Sequence, residues 1–171
     1  RMHWKKGVDL LIDAASKIDD VVFLIAGDGP EIEKYRAQAH ALNLESRVLF
    51  LGWCKDRLGL LRIADVCVLP SRYEPFGIVI PESWFARVPL VATKADGAKH
   101  YVNHEKDGLL VDIDDCEGLV EALERALHDK VLRAQLIQGG TKMYEKLFSR
   151  KSVITSLINS YQDMIRRHPN N

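Results

Sequence analysis

Short apolar runs alternate with stretches of helical spacing along most of this chain, and that alternation constrains the fold more than any other feature. The runs are Val21 to Ala26, closed by Gly27-Asp28-Gly29-Pro30; Arg47 to Leu51, closed by Gly52; Val66 to Leu69; Pro89 to Thr93; and Gly108 to Val111. Their length suits strands. The unbroken apolar run from Val21 to Ala26 predicts a strand covered on both faces. Between the runs, Val8, Leu11, Ile12, Ala15 and Ile18 line one helical face from Lys6 to Ile18. Glu31 to Leu42 is helix-forming, with Glu31 and Glu33 in the first turn, where the macrodipole favours acids. Shorter helices are predicted around Arg57 to Ala64, directly after Gly77, and from Gly97 to Val102. Strands alternating with helices predict an α/β, Rossmann-like, doubly wound parallel sheet with right-handed connections and helices on both faces. After Asp114 the pattern turns helical only, from Glu117 to Leu127, Lys130 to Phe148 and Lys151 to Arg167, which predicts a C-terminal helical segment.

The 171 residues, 47% of them hydrophobic, suit one domain over 1–171 with a full core. Twenty-four basic side chains balance 24 acidic ones. No broad positive field therefore recruits nucleic acid, and an anionic ligand must be met by local groups. The apolar runs fall short of a bilayer span and no signal peptide opens the sequence, which reads as a soluble chain. Cys54, Cys67 and Cys116 are scattered, with no C-x-x-C pair, and read as reduced cytosolic thiols rather than a disulfide framework or zinc site. The chain opens with a loop and a helix where a doubly wound sheet ordinarily has its central strand. The expectation is a fragment that lacks a preceding strand.

Open α/β sheets bind ligands beyond the carboxyl ends of their strands, which directs attention to the stretch from Ser71 to Glu82. Backbone N–H groups at a helix start are unpaired and lie at the positive end of the dipole, so Phe76-Gly77-Ile78-Val79 can cradle a phosphate. Gly77 permits close approach, and Pro81 in the first turn forfeits little. An ordinary strand-to-helix turn would look the same. Glu74 and Glu82 are suited to accept sugar or ribose hydroxyls, although dipole stabilisation alone accounts for Glu82. Arg1 and Lys6 bracket the opening loop. With a strand ending before Arg1, they would share an edge with Glu74 and neutralise a diphosphate; alone, they are ordinary solvated cations. Gly27-Asp28-Gly29 begins like a dinucleotide fingerprint, but Ile32 replaces the third glycine and Pro30 interrupts it, which weakens a nicotinamide-dependent oxidoreductase reading. His100 and His104 have the spacing to share a helical face, but no third ligand has a supporting pattern, so no metal is expected. Arg166, Arg167 and His168 make a basic end that complements a helix dipole.

Together these residues resemble the carboxyl-terminal domain of retaining glycosyltransferases of the GT-B fold, family 4, glycosyl transferases group 1. The likeness covers nearly the whole chain. Glu74-Pro75-Phe76-Gly77-Ile78-Val79-Ile80-Pro81-Glu82 is similar to that family's paired-glutamate motif. Arg1 to Gly7, Ala26 to Glu31 and Ala64 to Ser71 are similar to its other segments, in the same order. The resemblance implies one half of a GT-B fold that binds a nucleotide-sugar donor. Glu82 would hold the ribose hydroxyls and Glu74 the transferred sugar. The amides of Phe76, Gly77 and Ile78 would meet the sugar or distal phosphate, and Arg1 and Lys6 would grip the diphosphate. The turn containing Trp53 and Cys54 would lie against the base.

The resemblance further implies hexosyl transfer with retention to a glycan or lipid-linked acceptor held by an absent amino-terminal domain, as in bacterial lipopolysaccharide or capsule synthesis. No metal or cofactor is implied. The setting would be the cytoplasm, with peripheral association at the inner face of the membrane, and the fragment alone would be inactive. A non-catalytic nucleotide-binding module in assembly or regulation would carry the same motifs. Arg87 stands where the family has a glycine, so that helix end is expected to close differently. Asp96 and Lys99-His100 also depart from the family's next loop. The stretch from Phe148 onward resembles the helix that crosses back to the amino-terminal domain.

Overall fold

The computed structural model of the chain describes residues 1–167, so His168 of the basic end lies outside the described residues. Strands β1 (Phe23–Ala26), β2 (Val48–Gly52), β3 (Cys67–Leu69), β4 (Leu90–Thr93) and β5 (Leu109–Val111) form within the predicted runs, β2 extending to Gly52. Around them lie α1 (Val8–Ala15), α2 (Ile32–Ala41), α3 (Arg57–Ile63), α4 (Val79–Ala86), α5 (Asp96–Tyr101), α6 (Cys116–His128), α7 (Lys130–Leu147) and α8 (Arg150–Arg167). All ladders are parallel, as the alternation predicts.

The strands form two hydrogen-bonded blocks, β1-β2 and β3-β4-β5. One core nonetheless spans both: Phe23, Ile25 and Val48 cluster with Val91, Leu109 and Val111 against Ile12 of α1 and Leu119 and Leu123 of α6. A second cluster sets Ile80 and Trp84 of α4 beside Leu90 and Ala98, with Tyr144 and Phe148 packed against it. Trp84 is buried, and its indole N–H donates to the Asp107 carbonyl at 2.8 Å. Among the described residues no helix is long and apolar enough to cross a membrane.

Three expectations are corrected. Strand β4 is buried along its whole length, but β1 is not covered on both faces. Phe23 and Ile25 face the helices, while Leu24 is 38% exposed, as is Leu49 of β2. Helix α5 ends at Tyr101 and Val102 is extended, so His100 and His104 do not share a helical face. The His100 ring lies edge-on to Tyr101, and His104 Nδ1 accepts the Leu110 N–H at 2.9 Å.

The end of α4 closes as a glycine would close it. Arg87 adopts φ 60° and ψ 43°, its N–H donates to the Ser83 and Trp84 carbonyls, and the Val88 N–H donates to Ser83 at 3.0 Å. This closure satisfies the terminal carbonyls, and a non-glycine residue carries its strain of about 1–2 kcal/mol. Arg87→Gly is therefore expected to raise unfolding stability by about 1 kcal/mol in denaturant titrations, once the looser unfolded chain is allowed for. An unchanged midpoint would show that the arginine sits there without strain.

Candidate functional site

The opening loop and the loop after β3 meet backbone to backbone. Trp4–Lys6 form a single 3-10 turn closed by Gly7, whose φ of 63° also launches α1. A Cβ on Gly7 would lie 1.9 Å from the Pro70 carbonyl oxygen, so only glycine permits this approach. Beside it, the Lys5 carbonyl accepts the N–H groups of Arg72 at 2.8 Å and Tyr73 at 3.2 Å. The next residue on each side is thereby brought to its partner: Lys6 Nζ donates to Glu74 Oε2 at 2.5 Å, with the carboxylate side chain 15% exposed. From the other side, the Gly97 N–H donates to the Glu74 carbonyl at 2.8 Å, and a Cβ there would reach the Phe76 oxygen at 2.4 Å.

Gly77, at φ 80°, turns the chain into α4, whose start has no side-chain cap. The Phe76 ring is held edge-on by Tyr101 at 5.3 Å and Phe148 at 6.1 Å, while Ile78 is exposed. Glu82 lies in the first turn and accepts from Arg57 Nη2 at 2.8 Å. Beneath it, burial pushes the Cys67 thiol up to about 12, and the Glu82 carboxylate adds to the shift. That thiol stays protonated and inert.

The remaining loops gather at the carboxyl ends of β1 and β2. The Gly27 N–H donates to the Gly52 carbonyl at 2.7 Å, and the Met2 N–H to the Asp28 carbonyl at 2.8 Å. Arg1 and His3 line an open depression with Asp28, Gly29 and Pro30. Trp53 projects into solvent after Gly52, and Cys54 is half-buried. The fold thus joins Lys6 to Glu74 directly. Arg1 is held at the β1 turn, and among the described residues no ion pair joins it to Glu74.

Sequence reasoning missed Arg57, Gly97 and Arg72. Gly97 left a trace, as a glycine opening a short helix; the two arginines left none. Among the described residues no cluster of His, Cys, Asp or Glu is gathered in a way that could hold a metal.

Residues 1–143 match the family described as glycosyl transferases group 1. The chain belongs to this family. As a group 1 glycosyltransferase it is 36% identical over 149 residues to the lipopolysaccharide core biosynthesis glycosyltransferase LpsE of Rhizobium meliloti, covering 87% of this chain and 44% of that protein. It is 34% identical over 157 residues to LpsD of the same organism, covering 92% and 46%. The chain spans less than half the length of these curated relatives. Anabaena HepE, solved in complex with UDP, shares its fold at a TM-score of 0.90 and 27% identity, covering 95% of this chain and 47% of that one. HepE has also been solved with UDP-glucose. The C-terminal domain of a group 1 protein from Francisella tularensis, 21% identical, has the same fold at a TM-score of 0.78 over 88% of this chain and 83% of that one. The fold of this group 1 glycosyltransferase chain is that of GT-B carboxyl-terminal domains.

Proposed function

We propose that this chain is the donor-binding half of a retaining hexosyltransferase, which passes a sugar from a nucleoside diphosphate to an acceptor hydroxyl. The observation that carries the reading is the Lys6–Glu74 pair beside the uncapped start of α4, in a fold whose Anabaena neighbour is found with UDP and UDP-glucose. Glu82 accepts the ribose hydroxyls, exchanging part of its contact with Arg57 for them. Glu74 orients the sugar. The Phe76, Gly77 and Ile78 amides meet the sugar or distal phosphate, and the Trp53-Cys54 turn borders the base. Lys6 has donors beyond the one on Glu74 and turns them, with Arg1, to the diphosphate. As the bond from the anomeric carbon to the phosphate oxygen breaks and the bond to the acceptor oxygen forms, the acceptor proton passing to a base across the cleft, negative charge grows on the departing diphosphate. Cations and helix N–H groups aimed there stabilise that charge more than the ground state, and the reading calls on no metal or cofactor.

The proposal includes a strand between β1 and β3 and an amino-terminal domain that carries a glycan or lipid-linked acceptor. The split between the two ladders supports the strand. The stripe of Ile154, Leu157, Ile158, Tyr161 and Ile165, exposed along α8, supports a covering domain. The lipopolysaccharide-core relatives support a role in bacterial surface glycan synthesis, and the proposal sets that role at the cytoplasmic side of the membrane.

Calorimetric titration with UDP, GDP and ADP tests the reading. One base is expected to be preferred, and Glu82→Ala to weaken that ligand about tenfold, the effect of losing a charge-assisted hydrogen bond. No transfer is expected from the chain alone. Equal affinity for all nucleotides without response to Glu82→Ala would refute donor binding, and turnover by the chain alone would refute the need for a second domain.

A further inference from the structure

Arg72 stands between β3 and Glu74, and four of its five guanidinium N–H donors are engaged within its own chain. Nη1 and Nη2 donate to the two Asp9 oxygens at 2.8 and 2.9 Å, Nε donates to Asp114 Oδ1 at 2.6 Å, and Nη1 also reaches the Trp4 carbonyl at 2.8 Å. Its backbone N–H donates to the Lys5 carbonyl. The partners come from separate segments: the 3-10 turn, the first turn of α1, and the loop between β5 and α6, where Asp114 holds a φ of 62°. Burial opposes ionisation of Asp9, but the hydrogen bonds and charge of Arg72 outweigh it and hold the carboxyl below its ordinary range. The bonds to Asp9 are likewise the main cause that raises the guanidinium.

An arginine so engaged has little left for an anionic ligand, and its role is geometric. A planar fork held on two carboxylates fixes direction as well as distance. What lies on either side of it is Lys5-Lys6 and Tyr73-Glu74, the segments that must be aligned for the ammonium and carboxylate to meet. Lysine and glutamate are rotamer-rich, and holding both in one geometry costs entropy unless their backbones are already set. We propose that Arg72, clamped by Asp9 and Asp114, is a positioning residue that sets Lys6 and Glu74 at the diphosphate-sugar end of the donor site. This rests on the donor-binding reading above.

The test compares UDP with uridine, which lacks the diphosphate, on wild type, Arg72→Lys and Asp9→Asn. Arg72→Lys keeps the charge and loses the fork; Asp9→Asn keeps the side-chain shape and carries the test should the first variant fail to fold. UDP is expected to weaken about tenfold while uridine stays within about twofold of wild type. In parallel, acylation of the Lys6 amine in the ligand-free protein, followed by mass spectrometry, is expected to speed up in both variants as the ammonium leaves Glu74. Equal losses for UDP and uridine, or no loss, with Lys6 labelled at the wild-type rate, would overturn the proposal. Where GDP or ADP proves the preferred diphosphate, it and its nucleoside replace UDP and uridine; should wild type bind none of the three, the donor-binding reading fails, and Lys6 labelling still decides whether Arg72 positions the pair.

Discussion

Gly7→Ala is expected to cost about 3 kcal/mol of stability and, for a chain of this size, to lower the melting temperature by about 6–12 °C. The substitution meets two penalties at once. At φ 63° an alanine is strained by about 1 kcal/mol. The new methyl would also lie within 1.9 Å of a backbone carbonyl, which cannot rotate away as a side chain would. The 3-10 turn must lift off Pro70, and Lys6 then draws back from Glu74. Gly52→Ala is the internal control. Its φ is 67° and nothing lies within 4 Å of the added Cβ, so only the conformational penalty applies. Thermal melts of the two variants separate the terms: a Gly7→Ala melt no lower than that of Gly52→Ala would show that the close approach relaxes at no cost.

Lys6→Ala is expected to leave stability within about 1 kcal/mol of wild type, because the ion pair is partly solvated and such pairs contribute little. Transfer by a protein that includes the proposed amino-terminal domain is expected to fall about 10²–10³-fold in kcat, the loss typical of removing one preorganised donor from a developing anion. Lys6→Arg keeps the charge and should recover part of that loss. A variant that raises only the KM for the nucleotide sugar, with kcat unchanged, would instead mark Lys6 as a group that binds ground state and transition state alike.

The elements most legible in the sequence are those decided locally. The run Leu90-Val91-Ala92-Thr93 was readable as a strand, and the fold buries it along its whole length; Gly77 before Ile78-Val79 marked the turn where α4 begins. Placing Glu74 and Lys6 on one edge followed from the parallel topology together with a strand expected before Arg1, because strands joined by right-handed helices deliver their carboxyl ends together. Contacts made across the chain were not legible. Arg72 reads as one more surface cation until the fold brings Asp9 and Asp114 beside it. Arg57 has no sequence feature that points to Glu82. The exposed side of β1-β2 was hidden for a different reason, since an apolar run records which residues tolerate burial and not whether a helix arrives to cover them. Arg87 was misread because a glycine preference is statistical, and surrounding packing can hold an arginine in the same backbone region.

Three cations around the crevice arrive already matched, Lys6 with Glu74, Arg57 with Glu82, and Arg72 with Asp9 and Asp114, whereas no ion pair holds Arg1 among the described residues. Paired charges cancel at a distance while keeping their donors at close range, and the chain as a whole carries no formal net charge. A polyanionic ligand approaching from solution would therefore meet little long-range field from this domain. Its association would proceed with little electrostatic steering and little response of the on-rate to added salt. Selectivity would arise after encounter, in how slowly a ligand leaves once it has inserted itself between partners that already satisfy one another.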